Sequence, residues 1–136
     1  MPEKPTILVV DDDQPIVMLM RKLLAEFGFE AVTATSGVEA LEAARAHPPA
    51  LVLLDKNMPG MSGADVARAL RAEPSFGRTP ILVLSGESMS KSELEAMQAD
   101  AAVLKPFDVM ALVETIRRYT GSEVHRSTGE PGKTPL

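Results

Sequence analysis

The sequence predicts an α/β domain, a doubly wound five-stranded parallel sheet with helices on both faces. Apolar runs of strand length recur at Ile7–Val10, Leu51–Leu54, Ile81–Leu84 and Ala101–Leu104, with a weaker fifth run at Ala31–Thr33. Unbroken rather than alternating apolar character suits strands buried on both faces of a parallel sheet. Amphipathic stretches separate these runs, and a βα alternation of this kind specifies right-handed crossovers, with ligands bound at the carboxyl ends of the strands.

The helices follow in order. Pro15–Phe27 places Ile16, Leu19, Met20, Leu23 and Leu24 on one stripe, and Gly28 stops it; Val38–Ala46 follows with Leu41 and Ala44 inward. Ser36 before Glu39 and Ser90 before Glu93 have capping-box spacing, so helices start at both serines, the second running to Ala99. Ala64–Ala72 ends before Pro74, and Val109–Tyr119 carries Leu112, Val113 and Ile116 inward with Asp108 as its N-cap. Residues 6–120 form one domain, residues 1–5 an N-terminal extension, and the polar Gly/Pro-bearing segment 121–136 a flexible tail or truncated linker, below the roughly 40 residues that independent folding requires.

Composition narrows the function. A net charge of −5 without a Lys/Arg stripe argues against direct nucleic-acid binding. The absence of cysteine removes disulfides, thiolate metal sites and cysteine nucleophiles. The run Ile7–Val10 is too short for a signal segment or membrane span, so the expectation is a cytoplasmic protein with no membrane contact. Neither His47 nor His125 has a partner at ligand spacing, and the methionines, Met20, Met58 and Met110 among them, are read as core or loop packing.

Chemistry-bearing residues gather where the strands end. The first strand runs into Asp11, Asp12 and Asp13, the third into Asp55, the fourth into Ser85 and the fifth into Lys105. Two like unit charges about 4 Å apart repel by roughly 4 kcal/mol at an effective dielectric of about 20, so a cluster of carboxylates there requires a cation. Oxygen ligands favour Mg2+, with Asp12 as a direct ligand, Asp11 acting directly or through water, Asp55 giving one oxygen and Asn57 its backbone carbonyl. The free oxygen of Asp55 is then a nucleophile toward a phosphoryl group, Lys105 a counter-charge and Ser85 a hydroxyl donor to the product. Asp13 is read as a helix cap.

With these residues in place, the chain resembles the receiver domain of two-component response regulators of the chemotaxis-regulator kind, through ILVVDDD, LVLLDKNMPGMSG, ILVLSG and AAVLKPF, over about residues 6–120. The resemblance implies a flavodoxin-like fold with strand order 2-1-3-4-5, phosphorylation of Asp55 by a histidine kinase or phosphotransfer protein, and Mg2+ at Asp11 and Asp12. It further implies a cis Lys105–Pro106 bond, a buried Phe107 anchor, and an influence of Asn57 and Glu87 on hydrolysis of the acyl phosphate. Ala102 stands where many receivers carry an aromatic that rotates on activation, so signal transmission must use another route, for which the loop from Gly86 to Met89 and the helix after it are the candidates.

The leading expectation is therefore a signalling switch rather than an enzyme, acting on a downstream partner or by self-association through its fourth helix, fifth strand and fifth helix. A pseudo-receiver that binds a partner independently of phosphorylation is the alternative. A phosphohydrolase would need a second acid two residues beyond Asp55, where Asn57 stands instead.

Overall fold

A computed structural model describes residues 4–121; the expected tail from residue 122 onward and the first three residues lie outside the described residues. The elements run β1 (Thr6–Val10), α1 (Gln14–Glu26), β2 (Glu30–Ala34), α2 (Gly37–Ala46), β3 (Leu51–Asp55), α3 (Gly63–Ala72), a short 3-10 turn (Pro74–Phe76), β4 (Ile81–Ser85), α4 (Lys91–Met97), β5 (Ala101–Leu104) and α5 (Val109–Thr120). All five strands are parallel, in the order β2-β1-β3-β4-β5.

The continuous apolar runs are explained by two cores, one on each side of the sheet. Leu8, Val10, Val52, Leu54, Ile81 and Val83 pack with residues of α2, α3 and Met97 of α4. Their alternate neighbours Ile7, Val9, Leu51, Leu53 and Leu82 pack with α1 and α5. β1, β3 and β4 are interior strands, so both sets of side chains are buried. β5 is different: it is an edge strand whose residues alternate between half-buried and exposed, and Leu104 is 51% exposed. The expectation that its run is buried on both faces is corrected accordingly, because α5 covers one side and the other lacks a matching layer.

Two apolar assignments are corrected for one reason. Val17, Met20 and Leu24 form the buried side of α1, leaving Leu19 52% exposed. Leu112, Val113 and Ile116 form that of α5, leaving Met110 54% exposed rather than in the core. Each exposed residue stands two positions from a buried one, about 200° around the helix at 3.6 residues per turn. Phe107 is half-buried, packed against the α1/α5 side of the sheet and not enclosed as expected.

Caps set the helix ends. Gly28, at φ 91°, follows α1, where Gly28 and Phe29 N–H groups close on the Ala25 and Leu24 carbonyls. Ser90 and Glu93 form the expected capping box, and Ser62 with Asp65 forms another that a search for Glu or Gln overlooks. At Ser36 only half of the box is made: Glu39 accepts from Thr35 instead of from Ser36. α4 ends at Met97, short of the expected Ala99, because Gln98 turns left-handed at φ 57°.

One side chain ties α3 to the far edge of the sheet. Arg71, with its side chain 10% exposed, donates to the carbonyls of Phe76, Thr79 and Gln98 and pairs with Asp100 at 3.2 Å. Asp100 in turn accepts from the Ile81 N–H, at the start of β4. Arg71→Ala leaves the part-buried Phe76 and Thr79 carbonyls without this donor and is expected to cost about 1–3 kcal/mol, read as a lower denaturant midpoint at unchanged slope. Among the described residues, no helix is long and apolar enough to cross a membrane.

Candidate functional site at the carboxyl edge of the sheet

Parallel strands bring their carboxyl ends to one edge, and three of the expected residues meet there because β1 and β3 are adjacent. Carboxylate oxygens of Asp11, Asp12 and Asp55 lie within 4.8 Å of one another, Asp11 and Asp55 buried and Asp12 exposed. Lys105 reaches the same point from the end of β5: its Nζ donates to Asp55 Oδ1 at 2.9 Å and stands 3.6 Å from Asp11 Oδ2.

The three consecutive aspartates divide by local geometry. Asp13 caps α1, its side chain accepting from Ile16 N–H at 3.4 Å. The Asp13 N–H donates to Asp11 Oδ1 at 3.0 Å, which orients the Asp11 carboxylate. The other oxygen, Asp11 Oδ2, is buried and has no hydrogen-bond partner. Burial raises the pKa of Asp11, as do the negative charges of Asp55 and Asp12, while the Asp13 N–H and Lys105 oppose the rise. For Lys105, burial acts to lower the pKa, but the hydrogen bond to Asp55 and the charges of Asp55 and Asp11 outweigh it and the net shift is upward.

Ser85 ends β4, one residue beyond Leu84, the register partner of Asp55, and is 2% exposed. Its hydroxyl donates to the Glu87 carbonyl at 2.7 Å and accepts from the Glu87 N–H at 3.1 Å, so its single proton is engaged within its own loop. The Lys105 N–H donates to the Ser85 carbonyl at 2.7 Å, and the Lys105–Pro106 bond is cis. Asn57 and Glu87 are exposed in the loops after β3 and β4, and Ala102 is exposed on β5.

Two further residues, both within the LVLLDKNMPGMSG run, stand beside the site. Lys56, next to Asp55, stands 3.7 Å from Glu93 of α4. Gly63, the first residue of α3, donates its N–H to the Lys56 carbonyl at 3.0 Å, and a Cβ there would lie 2.6 Å from the Asp55 carbonyl oxygen. That run encodes neither the lysine's partner, which lies on a distant helix, nor the close approach at the glycine, which is set by tertiary packing.

The chain that carries this cluster, on a sheet ordered 2-1-3-4-5, is similar to known proteins over most of its length. The chain is 31% identical over 118 residues to the polar-differentiation response regulator DivK of Brucella ovis, spanning 85% of this chain and 96% of that protein. Among solved structures, the chemotaxis protein CheY4 of Vibrio cholerae superposes with a TM-score of 0.82 at 33% identity, covering 85% of this chain and 98% of that one. The N-terminal domain of a response regulator receiver protein from Methanoculleus marisnigri gives a TM-score of 0.70 at 34% identity, covering 90% and 98%. The response regulator receiver domain profile matches residues 7–117, and the chain belongs to that family.

Proposed function

We propose that this chain is a phosphorylation-controlled switch, taking a phosphoryl group from a histidine kinase or phosphotransfer protein onto Asp55 in the presence of Mg2+ and thereby altering a protein-binding surface. Receiver domains are signalling switches rather than conventional enzymes; as a family they bind Mg2+ in an acidic pocket and interact with histidine kinases and downstream partners. The observation that carries the reading is the convergence of Asp11, Asp12 and Asp55 within 4.8 Å, with Lys105 bonded to Asp55.

The donor set fits Mg2+. All candidate ligands are oxygens, and the buried Asp11 Oδ2 lacks any hydrogen-bond partner, an arrangement a hard cation would satisfy. Asp11, Asp12, Asp55 and the Asn57 backbone carbonyl would hold it, and the bound ion would offset charge on the transferring phosphoryl oxygens. An Asp55 carboxylate oxygen forms the new bond to phosphorus as the bond to the donor breaks, leaving an acyl phosphate and the released donor. Lys105, already at hydrogen-bond distance from Asp55, needs only a small movement to pair with the added charge. Ser85 redirects its proton from Glu87 to a phosphoryl oxygen, while Asn57 and Glu87, exposed above the site, influence access of water to the product.

For the responding surface we favour α4, β5 and α5, for a downstream partner or a second copy. Supporting this, a groove of about 330 Å³ runs beside the edge strand, bordered by Ala102, Leu104, Phe107, Ala111 and Thr115. Incubation with Mg2+ and a small phosphodonor is expected to add the mass of one phosphoryl group, labile at alkaline pH, and chelation of Mg2+ to prevent it. An unmodified mass with every donor tried would refute the switch.

A further inference from the structure

Lys56 is rooted on both sides of its main chain. Its N–H donates to the Leu84 carbonyl at 3.0 Å and its carbonyl accepts from the Gly63 N–H at 3.0 Å. From this fixed base Nζ extends to within 3.7 Å of Glu93 Oε2 on α4. Glu93 has a second attachment: its Oε1 accepts from the Ser90 N–H at 2.9 Å, and its own N–H donates to Ser90 Oγ at 3.1 Å. One carboxylate thus caps α4 with one oxygen and faces the residue after Asp55 with the other. The ionic gap of 3.7 Å exceeds the roughly 2.7–2.9 Å of a charge-assisted hydrogen bond, so the pair is attracted but not closed. The loop between Ser85 and α4 is held in turn by the Ser85 hydroxyl, through Glu87.

We infer that Lys56 and Glu93 form a latch that closes when Asp55 carries a phosphoryl group. The inference rests on the phosphorylation reading above and names how α4 senses that modification. Ser85 has one hydroxyl proton; directing it to a phosphoryl oxygen releases the Glu87 carbonyl, the loop moves toward Asp55, and Glu93 is drawn onto Lys56. The path needs no aromatic side chain at Ala102. By linkage, a contact that is stronger in the modified state strengthens binding of the phosphoryl group by the same factor.

Beryllium fluoride, a tetrahedral phosphoryl analogue, separates the two ideas when titrated into the Mg2+-loaded full chain. Lys56→Gln and Glu93→Gln are each expected to weaken its binding by about two- to fivefold. The double variant is expected to bind no more weakly than either single one, and the deficit to shrink at high salt. Gln at position 93 keeps an oxygen to accept from Ser90, so α4 stays capped and the unfolding midpoints without analogue remain alike; Lys56→Arg restores binding. Single variants that bind like the wild type or more tightly, or effects that multiply in the double variant, overturn the latch and leave the switch standing. Failure of the wild type to bind the analogue overturns both.

Discussion

Asp55→Asn is expected to abolish the phosphoryl adduct while leaving the fold intact. Asn retains the shape of the buried side chain, and its carbonyl oxygen can still accept from Lys105 Nζ, whose bond to Asp55 Oδ1 is 2.9 Å. What it lacks is an anionic oxygen able to attack phosphorus and a second oxygen for the cation. The substitution also removes one of three mutually repelling carboxylates, so the metal-free protein has no electrostatic reason to unfold. Intact mass after treatment with a phosphodonor, paired with circular dichroism, measures both halves. A stoichiometric adduct on folded Asp55→Asn would mean that another side chain is the acceptor.

Lys105→Ala is expected to slow adduct formation by about 100- to 1000-fold, the loss typical of removing one preorganised donor to developing charge. The lysine is held in place before the reaction: its main-chain N–H is bonded to Ser85 at 2.7 Å and its Nζ to Asp55. Little reorganisation is then needed as charge grows on the phosphoryl oxygens. Lys105→Arg should rescue only partly, since a planar guanidinium does not fit a site shaped around a compact ammonium. Single-turnover mass measurements at saturating Mg2+ supply the rate; a Lys105→Ala rate within tenfold of the wild type would remove Lys105 from the mechanism.

The elements most legible in the sequence were those whose environment is uniform. β1, β3 and β4 are covered on both faces, so their apolar runs announced them. The acidic cluster was legible because parallel strands deliver their last residues to one edge, and Asp11, Asp12, Asp55 and Lys105 each follow an apolar run. Leu19 and Met110 misled because apolar character alone does not reveal whether a neighbouring element covers a helical position. Arg71 and the Lys56–Glu93 pair were invisible for a further reason: each joins segments remote in sequence through long side chains, and no local pattern encodes such a meeting. The commitment of the Ser85 proton to Glu87 likewise depends on a loop conformation that the residue order alone does not determine.

Gly63 shows how closely α3 is joined to Asp55. Since a methyl group there would press on the Asp55 carbonyl, the start of α3 and the end of β3 are a single mechanical part. Substitutions at position 63 are therefore expected to displace Asp55, although the glycine offers no side chain to the acidic cluster. Engineering that transplants the acidic cluster to another sheet must carry this glycine along with it.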